Sequence, residues 1–370
     1  MHIPENYLSV STSLVLTAAM VPVWRRAVKR VSREFPRERF SALGVGAAFA
    51  FLTMMFNIPL PGGTTGHAVG GTVLATLLGP EAACLALTIT LAIQALLFGD
   101  GGVLAFGANC FNMAFLLPYS GYYSYVLLRR VLGVRSATTP DENARPLSLK
   151  DLIALGLASY LGINVAALAA GVEFGIQPLL FTDASGQALY CPYPLAVAVP
   201  AMALGHLTFF GLAEVIFSLG FYAFVARTAP NFATNGAFFP QLNETEEVED
   251  TTESPEQDGQ TSPRRKRFDA VYLLLAALIA LAPLGLLAQG TAWGEWGVEE
   301  VAELAEDGAV LGYTPRGMQE GFQWIALLPD YAVAGVPDWC AYPLSALAGV
   351  AIAIILFKLS AFFLFSRRTM

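Results

Sequence analysis

The sequence has little charge and little histidine. Only 14% of its 370 residues are Asp, Glu, Lys or Arg, and only three are His. Soluble domains carry about 25% charged residues. With 55% hydrophobic residues and a mean hydropathy of +0.55, an ordinary soluble fold is excluded and a polytopic membrane protein is indicated. The formal net charge of -8 is local, since eight of the 29 acids lie between Glu244 and Asp258. It says little about partners and indicates no nucleic acid.

Other absences narrow the chemistry. The four cysteines, Cys84, Cys110, Cys191 and Cys340, form no CxxC pair and have no metal-ligand spacing, so they read as small apolar residues. Cys191 and Cys340 can meet outside the membrane. There is no HExxH and no GxxxxGK[ST], which leaves no metalloprotease motif and no phosphate loop. No basic residue precedes the first apolar stretch and seven follow it, so a retained, outward-facing N-terminus is expected rather than a cleaved leader. No internal repeat is visible.

What is present is a series of nine hydrophobic segments, at about 8–28, 41–56, 66–79, 81–98, 103–128, 151–170, 195–226, 269–288 and 343–366. The third is short and glycine-rich and reads as a partial or re-entrant helix. Lys and Arg cluster after the first, fifth, seventh and ninth segments, while only Arg316 falls in a loop assigned to the outside. By the positive-inside rule this gives an all-α protein of about nine transmembrane helices, N-terminus outside and C-terminus cytoplasmic. Residues 230–268 read as a charged cytoplasmic linker, too poor in large apolar residues to repay ordering. It separates a seven-segment module, 1–229, from a two-segment module, 269–370. The latter has an outside loop at about 289–342, in which VEEVAELAED reads as a short acidic helix.

The chain opens MHIP, and Met1 and His2 together offer three nitrogens. The free α-amine, the deprotonated amide nitrogen of His2 and its imidazole Nδ1 can close a five-membered and a six-membered chelate ring on one ion. An ionised amide nitrogen favours Ni(II) or Cu(II) over Mg(II) or Ca(II). His67, in PLPGGTTGHAVGG, lies on the same expected face and can supply a fourth nitrogen; a membrane-edge histidine is a functional candidate by default. Asp100, Asn109 and Asn112, in FGDGGVLAFGANCFNM, are candidates to orient the liganding imidazoles. His206 and Glu214, in GHLTFFGLAEV, lie eight residues apart on about one helix face and read as a structural hydrogen-bond pair rather than ligands.

Taken in order, MHIP, GGTTGH, LLGPEAA, QALLFGDGG, LAFGANCFNM and GHLTFFGLAE resemble the nickel/cobalt-specific substrate-binding membrane (S) component of energy-coupling factor transporters, the NikM/CbiM family, from Met1 to about Arg227. The resemblance implies a square-planar site built from the Met1 amine, the His2 amide and imidazole, and the His67 imidazole. It implies that Ni2+ or Co2+ is the transported substrate, and that a transmembrane coupling (T) subunit and cytoplasmic ATPases drive uptake across the cell membrane. No enzyme activity and no organic cofactor are expected of the chain itself. APLGLLAQGTAWGEWG, with its two flanking segments, resembles more loosely the two-span auxiliary subunit often fused to this component. Glu5, Asn6 and Tyr7 stand where the family more often has Asp, Gly and Phe. A membrane metalloenzyme using His206 and Glu214, or an ATP-independent channel or secondary transporter, are the rival classes.

Overall fold

The computed structural model describes residues 1–35, 40–60, 64–134, 148–228, 263–288, 290–303, 305–306 and 309–366. Most of the expected linker, 230–268, lies outside the described residues. Its last residues are helical, since a helix runs over Pro263–Leu281.

Apolar sequence is converted almost entirely into helix, as lipid requires when water cannot satisfy backbone groups. The main bodies of the N-terminal module are α1 (Val10–Glu34), α2 (Phe40–Met55), α3 (Gly71–Leu78), α4 (Pro80–Ile93), α5 (Phe106–Asn109), α6 (Leu117–Val131), α7 (Leu149–Gly175), α8 (Gln177–Leu180), α9 (Leu195–Gly205) and α10 (Gly211–Thr228). Where polar side chains precede an apolar run they start the helix: Ser9 accepts from the Thr12 N–H, and Ser148 from the Asp151 N–H. Among the described residues, five stretches are long and apolar enough to cross a membrane, namely Pro80–Phe98, Leu149–Leu180, Leu195–Thr228, Ala270–Leu287 and Asp338–Phe363.

Two expectations are corrected and one, the partial third helix, is met, each for a local chemical reason. The all-α description omits two antiparallel ribbons, Ile58–Leu60 (β1) with Thr64–Gly66 (β2), and Ala305–Glu306 with Ala309–Val310. The third segment is helical only over the eight residues of α3, about 12 Å at 1.5 Å per residue, far short of the ~30 Å hydrocarbon core. Gly70 and Gly79 bound it at φ 77° and 90°. The acidic helix in the outer loop is one turn, Val298–Val301, with Glu299 and Glu300 in its first turn, where the helix dipole favours them. Beyond it Ala302 and Glu303 turn away. Cys191 and Cys340 are both free thiols, Cys191 buried in the core.

Three apolar stretches contain a π-turn, at Gln94–Phe98, Cys110–Leu116 and His206–Phe210. Such insertions recur at functional sites, because the wider turn re-aims the side chains on it. The C-terminal helix Asp338–Ser366 packs along α2, and Tyr342 donates its hydroxyl to the Met55 carbonyl. That docking sets the outer loop of the second module over the N-terminal residues of the first.

Candidate metal centre

Residues 1–9 form an extended segment pinned by other parts of the chain. The Ile3 N–H donates to Asn109 Oδ1 at 2.7 Å, and Asn109 Nδ2 donates back to the Ile3 carbonyl at 3.1 Å. The Gly102 N–H adds a second bond to that carbonyl, at 2.8 Å. Gly102 is required by the approach itself, since a Cβ there would stand 2.8 Å from the Glu5 main chain. Glu5 accepts from the Val103 and Leu104 N–H groups at 2.6 and 3.0 Å. Burial nevertheless holds its carboxyl above the ordinary range. Cys191 N–H donates to the Tyr7 carbonyl, and Ser9 N–H to Gln177 Oε1. Asn6, at φ 63°, makes the turn between these anchors.

This anchoring buries His2, at 2% exposure, against His67, at 6%. His67 Nε2 lies 3.2 Å from His2 Nδ1. The outward nitrogens are engaged elsewhere: His67 Nδ1–H donates to the Ala68 carbonyl at 3.1 Å, and His2 Nε2–H faces Gln94 Oε1 at 3.4 Å. Each bond directs the other nitrogen's lone pair toward the partner ring. Asp100 Oδ1 lies 3.1 Å from the same His2 Nδ1. Two ring nitrogens and a carboxylate oxygen thus converge on one point, and a hydrogen on His2 Nδ1 or a bound cation there offsets the repulsion of their lone pairs.

Among the described residues no acceptor takes the His2 backbone N–H, although His2 is buried. The Met1 α-nitrogen, its side chain fully buried, is 2.9 Å from Glu295 Oε1. Met1 also lines a cavity of about 360 Å³ with Thr64, Thr65, His206, Trp293 and Trp296. Among the described residues no group of three or more His, Cys, Asp or Glu side chains forms a conventional cation site.

The other sequence candidates divide. Asn109 holds the Ile3 peptide and Asp100 touches His2, so both act on the N-terminal segment. Asn112 does not: its Nδ2 donates to Glu173 Oε2 at 2.8 Å, away from the imidazoles. The residue lies within the π-turn, which rotates it off the Asn109 face. His206 and Glu214 do not bond each other either. His206 Nδ1 donates to the Met202 carbonyl at 2.8 Å, and Glu214 accepts the Val69 and Gly70 N–H groups at 2.7 and 2.9 Å. Eight residues of helix set the two about 12 Å apart along the axis, beyond hydrogen-bond reach even where they share a face. Glu214 instead fixes the turn that carries His67 into α3.

Sequence reasoning missed Gln94, Glu295 and Tyr331. Tyr331 donates its hydroxyl to Asp100 Oδ2 and stacks on Phe98 at 4.7 Å. Burial and the neighbouring Asp100 charge raise its hydroxyl well above the ordinary tyrosine range, keeping it a donor. Gln94 and Glu295 sit within QALLFGDGG and GTAWGEWG, stretches that stood out as wholes without singling out either side chain.

Residues 2–232 match the CbiM family, described as the cobalt uptake substrate-specific transmembrane region, and residues 267–367 match the PDGLE domain. A probable fused nickel transport protein, LarMN, of Lactiplantibacillus plantarum is 45% identical over 97% of both chains. The fused nickel transport protein NikMN of Rhodobacter capsulatus is 43% identical over 98% of this chain and 97% of its own. A solved structure of a truncated transition metal transporter shares 48% identity over 61% of this chain and 99% of its own, with a TM-score of 0.55. The chain therefore belongs to the CbiM family of substrate-specific transmembrane proteins and carries a PDGLE domain behind it.

Proposed function

We propose that this chain captures a divalent transition-metal ion, Ni2+ rather than Co2+, at the outer face of the cell membrane. It acts as the S component of an energy-coupling factor transporter, and is a transport component, not an enzyme. The ion takes four nitrogens in a plane: the Met1 amine, the His2 amide nitrogen, His2 Nδ1 and His67 Nε2. In this reading the N-terminus lies outside, on the side whose loops are poor in Lys and Arg, so that the site faces the supply of ions. A transmembrane coupling subunit and separate ATPases drive uptake, since the chain carries no phosphate loop.

The observation that carries this reading is the His2–His67 pair. Metal–imidazole bonds of about 2.0–2.1 Å at a right angle set adjacent donors ~2.9 Å apart. The two nitrogens already stand 3.2 Å apart with their lone pairs convergent. The unpartnered His2 N–H supports its replacement by a metal bond. Nickel is preferred because an ionised amide and square-planar nitrogen suit it, and because it binds nitrogen donors more strongly than cobalt. The names of the two fused nickel transport relatives support the same choice. The metalloenzyme alternative loses its basis, since the Val69 and Gly70 N–H groups occupy the Glu214 carboxylate and it does not meet His206.

The test is an N-terminal extension by one residue. It leaves the His2 side chain in the sequence and moves the amine out of the chelate. Metal analysis and chelator competition on the purified chain with an unblocked N-terminus should show a planar nickel spectrum that the extended form lacks. Unchanged nickel affinity in the extended chain would sink the chelate.

A further inference from the structure

We propose that Glu295, from the outer loop of the C-terminal module, is the positioning residue for the Met1 amine, so that the fused module completes the metal site. The inference rests on the nickel reading above. Its evidence is the 2.9 Å contact between Glu295 Oε1 and the Met1 nitrogen, which spans 294 residues of chain and joins the two modules.

The carboxylate is presented by a turn with little freedom. Glu295 N–H donates to the Ala292 carbonyl at 2.9 Å. On either side, Trp293 packs edge-on to Phe174 at 6.0 Å, and Trp296 packs on Tyr193 at 5.7 Å. Tyr7 donates its hydroxyl to the Trp296 carbonyl at 2.8 Å, tying the turn to the N-terminal segment. Two tryptophans thus wedge the turn into the first module, and the acid between them reaches Met1. Glu295 itself is 20% exposed, while Met1 is closed off.

A primary amine bound to a metal keeps two N–H bonds. One can go on donating to Glu295 while the nitrogen lone pair faces the ion, so the same contact serves the free and the loaded site. The amine's rotation about the Met1 N–Cα bond is then restricted before the metal arrives. Charge points the same way: a divalent ion on one ionised amide leaves a single positive charge in a buried site, and Glu295 can neutralise it. Residues that hold a ligand from behind typically contribute 10–100-fold to metal affinity.

The experiment compares the full chain with Glu295→Gln, Glu295→Asp and Glu299→Gln. Glu299 is exposed in the same loop and serves as the control. Nickel affinity by chelator competition should fall about 10–100-fold in Glu295→Gln, with the planar spectrum retained, and recover in part in Glu295→Asp. Amine-directed acylation of Met1 in the metal-free chain should speed up several-fold in Glu295→Gln and stay unchanged in Glu299→Gln. Wild-type affinity and wild-type labelling in both Glu295 variants overturn the proposal. A wild-type chain that protects its amine but binds no nickel overturns the metal reading and leaves the Glu295 contact standing.

Discussion

His67 and His206 are both buried histidines within the stretch that matches the CbiM family, yet their surroundings differ. His67 spends one nitrogen on the Ala68 carbonyl and turns the other toward the His2 ring. His206 spends one nitrogen on its own helix, at Met202, and its ring lies edge-on to Phe210 at 5.2 Å. What separates them is the company of the free nitrogen. A lone pair aimed at a second nitrogen and a carboxylate can collect a cation, whereas the His206 ring borders the cavity it shares with Met1, Thr64 and Thr65.

Replacing His67 by Ala should produce the largest effect. It removes one of four proposed donors, so nickel affinity should drop by more than about 100-fold, beyond what outer partners contribute. The planar absorption band should disappear as well. Competition titration and visible spectroscopy read both, and a retained band would show that the fourth donor is another group.

Glu214→Gln should rank second. Its carboxylate gathers the Val69 and Gly70 N–H groups at the start of α3, where the helix dipole also favours negative charge. An amide cannot accept both without turning its NH2 toward a backbone N–H. Stability should fall by about 1–3 kcal/mol, and nickel affinity by about tenfold as the His67 turn loosens. A thermal melt beside the competition titration separates the two effects. If stability falls and affinity does not, the turn is not what aims His67.

The helical character of the chain and the nearness of His2 to His67 leave local marks in the sequence. Long apolar runs point to helices, and a histidine among glycines at a membrane edge stands out from its surroundings. Distances along the chain hid the rest. Glu295 reaches Met1 across 294 residues and Tyr331 reaches Asp100 across 231, and no spacing rule connects either pair. Helical spacing misled in the opposite way. His206 and Glu214 share about one face by their eight-residue spacing, yet eight residues rise about 12 Å, and the π-turn at His206–Phe210 breaks the register between them as well. A period is informative only while the hydrogen-bond register holds. The short third segment was legible as weak, and its glycines at positive φ are the reason.

His206→Ala should have the smallest effect on binding and is the most direct challenge to the contrast with His67. Its Nδ1 bond to the Met202 carbonyl is local to one helix, so its removal should cost about 1 kcal/mol of stability or less. The ring does border the cavity shared with Met1, so the rate of nickel loading can change as the cavity enlarges. The equilibrium affinity should not, and should stay within about twofold, ~0.4 kcal/mol. Stopped-flow loading and equilibrium competition on the same preparation distinguish these quantities. A loss of affinity comparable with that of His67→Ala would make His206 a donor, and the site would then have to be rebuilt around three imidazoles rather than two and a main-chain chelate.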